Sequence, residues 1–289
     1  MRYTSALLLC LLLTPSVFAS RAAEHAAAGQ AAMERNQVDA AVAAYAKAVE
    51  LEPKSARYHF LLGSAYGRQA QQSGTLKQAM LARKTKAHFE KAVEIDPGMI
   101  DARLALIDYY TIAPAVMGGS EEKALQQAAE IRKIDRLEGH RAFGRIYTRQ
   151  KKTDLAKKEY LDAVRTHPES AKAHYFLGSF YMNEKDWTGA LQSYDTALKL
   201  DPAYMVIYLR LGQLAAQSES HYQRGEEALR KYLSHKPGEA EPGHAGTWFW
   251  LGMLQEKQGR KTEARQSYTN ALRLMPDSKN IKEALKRVS

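Results

Sequence analysis

Residues 171–204 read AKAHYFLGSFYMNEKDWTGALQSYDTALKLDPAY, with His174, Leu177, Gly178 and Tyr181 in the first half and Ala190, Tyr194, Ala197 and Pro202 in the second. Upstream by one 34-residue period, His140, Phe143, Gly144, Tyr147, Ala156, Tyr160, Ala163 and Pro168 fill the same slots. Working outward from this pair, the pattern extends in seven registers: 22–55, 56–99, 100–136, 137–170, 171–204, 205–238 and 245–278. Several spaced positions recurring in register mark a repeated helix–turn–helix unit, which an isolated Leu-Gly pair would not do.

Each slot has a mechanical reason. Glycines at 29, 63, 144, 178, 212 and 252 fall inside helical patterns, where Gly costs about 1 kcal/mol relative to Ala. That cost is explained if a side chain there would hold two helices apart. Small residues such as Ala156, Ala163, Ala190 and Ala197 do the same on the second helix, and Tyr45, Phe89, Tyr160, Tyr194 and Tyr268 fill the space between. Pro53, Pro97, Pro168, Pro202, Pro237 and Pro276 close the units, since the residue before a proline is pushed out of the helical region.

With its aromatic–Leu-Gly–Tyr, Ala–aromatic and closing Pro positions, the chain resembles the tetratricopeptide-repeat family over nearly all of its length. The resemblance implies an all-α, right-handed superhelical solenoid of helix–turn–helix repeats. A solenoid has neighbour contacts only, so residues 20–289 are expected to form a single solenoid domain whose size reflects repeat number. Residues 279–289 are expected to cap it, with Ile281, Ala284, Leu285 and Val288 on one helical face and lysines on the other.

Two copies depart from the pattern. In the third, Ile107 replaces the glycine, Ala128 replaces the aromatic, and no proline closes the unit near Arg136. In the sixth, Gly225, Leu229 and Tyr232 stand where Ala, aromatic and Ala are wanted. Three insertions also break the period: Gln69–Met80, Ala113–Ser120 and Gly238–His244. The first reads as a longer first helix and a polar turn and the second as a loop; in repeat proteins insertions fall on loops, often at one face. Ser120, ahead of Glu121 and Glu122, reads as a helix N-cap rather than part of a phosphate loop.

Residues 1–19 read as a secretory signal peptide: Arg2, the apolar run Ala6–Leu13, then Val17-Phe18-Ala19 before a cut after Ala19. The run is shorter than the roughly 20 residues that span a bilayer. The only cysteine, Cys10, lies within it, and Leu9 before it argues against a lipid anchor. Export to a bacterial periplasm is the expected location. The net charge of +10 is spread over many helices, and with export and no nucleic-acid motif it does not point to nucleic acid.

In the family the first helices line a concave groove. The resemblance therefore puts Arg141, Arg145 and Arg149, one helical face at i, i+4 and i+8, in that groove. Lys172, Tyr175, Ser179, Met182 and Asn183 join them from the fifth repeat, and Arg57, Phe60, Ser64 and Arg68 from the second. Two readings stand side by side: a clamp for an acidic peptide or a C-terminal carboxylate, since arginine pairs bidentately with carboxylates, and a solvated basic face partly neutralised by Glu138.

His25, His59, His140 and His174 share one slot, on successive helices roughly 10 Å apart, which is too far for a common metal. They read as half-buried packing residues; no metal and no cofactor is expected. Nucleophile-elbow, zinc-protease and Walker patterns are missing, and with them any proposed reaction. The expected function is a non-catalytic protein–protein interaction scaffold of the cell envelope that holds a peptide segment in its groove. Recognition of an anionic cell-wall glycan in the same groove, with Trp248 and Trp250 suited to sugars, is the alternative, and homo-oligomerisation is left open.

Overall fold

The structure is a computed structural model that describes residues 15–238 and 241–289. Most of the expected signal peptide, residues 1–14, lies outside the described residues. The first helix begins at Pro15, so the expected cut after Ala19 falls inside it. Regular structure among the described residues is entirely helical, which agrees with the all-α repeat fold expected from the slots.

The chain gathers into two compact units, divided between Asp135 and Arg136. The first holds three helix pairs: α1 (Pro15–Glu34) with α2 (Val38–Leu51), α3 (Ala56–Gln71) with α4 (Thr75–Ile95), and α5 (Ile100–Ile112) with α6 (Glu121–Ile134). A 3-10 turn, Ala115–Met117, sits between α5 and α6. The second unit holds α7 (Arg136–Arg149) with α8 (Thr153–Thr166), α9 (Ala171–Asn183) with α10 (Trp187–Leu200), α11 (Met205–Ser218) with α12 (Tyr222–Leu233), and α13 (His244–Lys257) with α14 (Lys261–Leu274), followed by α15 (Lys279–Arg287).

Within a pair, the mid-helix glycine faces the aromatic of its partner helix. A Cβ on Gly178 would stand 2.7 Å from the Tyr194 ring, on Gly144 2.5 Å from Tyr160, on Gly63 2.8 Å from Phe89 and on Gly252 2.6 Å from Tyr268. Those rings are buried, and Tyr194 and Tyr268 fully so. The two departing copies keep the same economy of volume. In the third, Ile107 and Ala128 are both fully buried, so the large and small residues have exchanged helices. In the sixth, Leu229 takes the aromatic's place against Gly212, and Gly225 lies so close to Ala215 that a Cβ would sit 2.3 Å from it.

Turns and junctions follow local rules. Ser55, Ser120 and Ser170 accept hydrogen bonds from the backbone N–H of Tyr58, Lys123 and Ala173, each at a helix start. Asn36, Lys151, Lys185 and Gly259 turn first helix into second with positive φ. Where one pair gives way to the next, a side chain six residues on donates to the proline carbonyl. His59 Nε2 reaches Pro53 O at 3.1 Å, Arg103 Nε reaches Pro97 O at 2.9 Å, His174 Nε2 reaches Pro168 O at 2.9 Å and Tyr208 Oη reaches Pro202 O at 3.0 Å. His140, which has no proline before it, instead holds Glu159 at 2.7 Å. The division between the two units falls just before that helix. At the C-terminal end α15 and the Val288 that follows it bury Ile281, Ala284 and Val288 against Ala264, Tyr268 and Ala271.

Candidate functional site

The expected groove residues divide between the two units. In the first, Arg57 and Arg68 are exposed on α3, while Phe60 is half-buried with its ring 5.8 Å from that of Phe89. Ser64 turns its hydroxyl back to the Phe60 carbonyl at 2.9 Å. In the second unit, α7, α9 and α11 bring a denser group together, and the site is built there.

Its base is Glu138, a carboxylate only 5% exposed in the first turn of α7. One oxygen lies 2.7 Å from Arg141 Nε and the other 2.5 Å from Lys172 Nζ. Both cations also sit over the Phe176 ring, Arg141 at 5.2 Å and Lys172 at 5.8 Å from its centre. Arg141 is therefore not a bare rim charge: a buried acid and an aromatic face hold it. Two cations on one carboxylate still leave this corner net positive. Arg145 and Arg149, farther along α7, are likewise engaged with neighbours.

Beside this corner lies an aromatic cluster. Tyr175 packs its ring 5.3 Å from Tyr204 and 6.3 Å from Tyr194. Burial pushes the phenols of Tyr194 and Tyr204 up to about 12, so both remain neutral donors at physiological pH. Tyr194 Oη lies 3.3 Å from Ser179 Oγ and donates to Met182 Sδ at 3.6 Å. Ser179 thus supports the core tyrosine and Met182 is turned into the core, while Asn183 is exposed at the end of α9.

The residue that sequence reasoning missed is Arg210. It is half-buried on α11, donates to Tyr175 Oη at 3.4 Å and to Gln213 Oε1 at 2.8 Å, and has no carboxylate within ion-pair distance among the described residues. A guanidinium held by neutral partners keeps its full charge for an incoming anion. Its signal was present: Arg210 follows Tyr175 by 35 residues, close to one period, and such positions on successive first helices become neighbours. The histidine slot carries no comparable chemistry, because His59 and His174 are spent on proline carbonyls. Trp248 and Trp250 are partly buried against the core around Leu229 and Leu251.

Family models match three stretches of the chain, one described as TPR repeat at residues 29–69 and two as tetratricopeptide repeat at 141–204 and 245–278. Among curated proteins, protein O-mannosyl-transferase TMTC1 of Homo sapiens is 26% identical over 179 residues, 59% of this chain and 19% of that protein. The general transcriptional corepressor ssn6 of Schizosaccharomyces pombe is 25% identical over 130 residues, 45% of this chain and 11% of that protein. The chain thus spans only a small part of the length of either relative. Of solved structures, yeast Tom70 superposes with a TM-score of 0.74 at 15% identity, over 95% of this chain and 54% of that one. At that identity the likeness is one of fold.

Proposed function

The chain belongs to the tetratricopeptide-repeat family, and on that basis we propose that it is a non-catalytic scaffold holding a peptide segment against α7, α9 and α11. The peptide brings a carboxylate, from an acidic side chain or its own C-terminus, to Arg210. Its apolar side chains pack on Tyr175 and Tyr204, while Lys172 and Arg141 attract acidic flanks. Arg210 carries this reading: a half-buried guanidinium with hydroxyl and amide partners but no carboxylate of its own. Ordering costs little here, because Tyr175 and Gln213 already hold the guanidinium in place.

The signal-like residues 1–19 support a site of action in the periplasm, as an adaptor of the cell envelope. Fluorescence anisotropy with short peptides bearing free or amidated C-termini tests the groove assignment. Acidic or free-carboxylate peptides are expected to bind, and Arg210→Gln to weaken them by about tenfold or more. Equal binding by the variant, or competition by glycan fragments but not by peptides, overturns the assignment.

A further inference from the structure

Two insertions that are far apart in sequence, Gln69–Met80 and Ala113–Ser120, both line an open-sided cavity of about 610 Å³ in the first unit. That volume falls in the roughly 300–1,000 Å³ range of small-molecule sites. Ala79, Ala82 and Phe89 of α4, Ala105 and Tyr109 of α5, and Met117 of the 3-10 turn form its walls. The inner polar groups of the walls are already spent, while Gln71, Thr75 and Gln78, which also line the cavity, are exposed to water. Tyr109 Oη donates to Met117 O at 2.6 Å and Thr85 Oγ1 to Leu81 O at 3.0 Å, while Asp108 is engaged with a neighbour.

The wall formed by the second insertion is built rather than loose. Gly119 N donates to Pro114 O at 3.1 Å and Ser120 N to Tyr110 O at 3.0 Å. A Cβ on Gly119 would stand 1.8 Å from the Ala113 carbonyl oxygen, so only glycine fits there. Both insertions and the end of α5 also present bare apolar side chains near the cavity: Leu76 is 93% exposed, Met80 51%, Ile112 65% and Val116 89%. Single exposed apolar residues are ordinary, but a group of them around an apolar cavity marks a binding surface.

Charge narrows the ligand. Residues 53–89 contain no Asp or Glu; Lys86 Nζ reaches the Gly118 turn and the charge of Arg83 acts on Tyr109, so these two cations flank a cavity whose lining includes one acid, Asp108, while Arg68 and Lys77 adjoin lining positions in sequence. Of these, Lys86 is 3.9 Å from Glu90. An alkyl chain brings no polar group and suits the inner wall of Ala79, Ala82, Phe89, Ala105 and Tyr109, whereas a peptide backbone there would bring N–H and C=O groups without partners.

We propose that this cavity takes the alkyl chain of an anionic single-chain amphiphile, with its acidic head at the basic rim. The amphiphile is either free in solution or drawn from an anionic bilayer, and the test distinguishes the two. The whole chain is titrated calorimetrically with dodecanoate and with dodecyltrimethylammonium below their micelle concentrations, and floated with phosphatidylglycerol vesicles. Saturable binding of dodecanoate, at least about tenfold tighter than of the cation, supports a free amphiphile. Flotation without dodecanoate binding assigns the bilayer source.

In either case Ala82→Trp, which fills the cavity, is expected to weaken the signal by about tenfold or more. The pair Leu76→Asp and Val116→Asp changes only exposed side chains, is checked for folding by circular dichroism, and is expected to weaken it as well. The proposal is overturned if neither dodecanoate nor vesicles bind. It is equally overturned if the rim pair leaves binding unchanged, or if the cationic amphiphile binds as well as the anionic one.

Discussion

Exchanging the residues at Gly178 and Tyr194 tests the packing rule directly, because the third repeat carries that exchange in Ile107 and Ala128. A Cβ on Gly178 meets Tyr194 Cδ1 and Cε1, both at 2.7 Å, and Ser193 Cβ at 3.2 Å. The ring has no room to retreat: it is fully buried, with Tyr175 beside it and its hydroxyl against Ser179 and Met182. Gly178→Ile therefore overpacks the pair at a cost of about 1–3 kcal/mol, from which a few tenths of helix propensity are recovered. Tyr194→Ala empties a buried ring site and costs about 3–5 kcal/mol. In the double variant the isoleucine enters the space left by the ring, so the total is expected to fall short of the sum by about 2 kcal/mol. Urea unfolding of all four proteins, followed by circular dichroism, gives the cycle. Gly246→Ala is the control: no atom lies within 4 Å of its Cβ, so the same kind of change there stabilises by up to about 1 kcal/mol. Additivity of the two core changes within about 0.5 kcal/mol would refute the volume-exchange rule.

Two further outcomes are expected. Burial, followed by the charges of His59 and Lys84, pulls His88 down to about 4 from its ordinary 6.5. Above pH 6.5 the folded and unfolded chains are both neutral there; as pH falls towards 4 the unfolded chain takes the proton first, so the first unit loses stability across that window. The urea midpoint should therefore drop between those pH values, and drop less in His88→Gln; identical slopes would count against it. Glu138→Gln leaves Arg141 and Lys172 without their shared carboxylate and is expected to destabilise the second unit by about 1–3 kcal/mol in the same assay. A neutral result would mean that solvent already screens those cations.

The helix pairs were legible because the residues that set them are local or recur at a fixed period: proline ends a helix, glycine admits a ring, serine caps a start. Less legible were the places where volume is shared rather than assigned. Ile107 with Ala128 looked like a loss of pattern, although the sum of sizes is preserved. The same holds for the site. The basic stretch Arg141, Arg145 and Arg149 was visible on one helix, but the pairing of Arg141 with Glu138 and its stacking on Phe176 depend on the neighbouring repeat. Arg210 was not legible as a site residue because its partner Tyr175 lies one repeat away. The cavity was hidden for a similar reason: its two insertions were readable one at a time, the first as a longer helix with a turn and the second as a loop, and only folding of the intervening helices places both at one cavity.

The proline junctions carry a consequence for how such chains vary. At four of them an imidazole, a guanidinium or a phenol performs one task, donating a hydrogen bond to a carbonyl that no backbone N–H reaches. What selection or a designer must preserve at that slot is reach and a donor, not bulk or aromaticity, although the slot looks aromatic when repeats are aligned. His59 shows how far the requirement extends. Donation from Nε2 to Pro53 leaves Nδ1 to accept from His88, so one carbonyl dictates the tautomers of two rings. A library at position 174 should sort by this rule, with Gln, Lys and Trp retained and Leu, Met and Phe lost despite their similar volume.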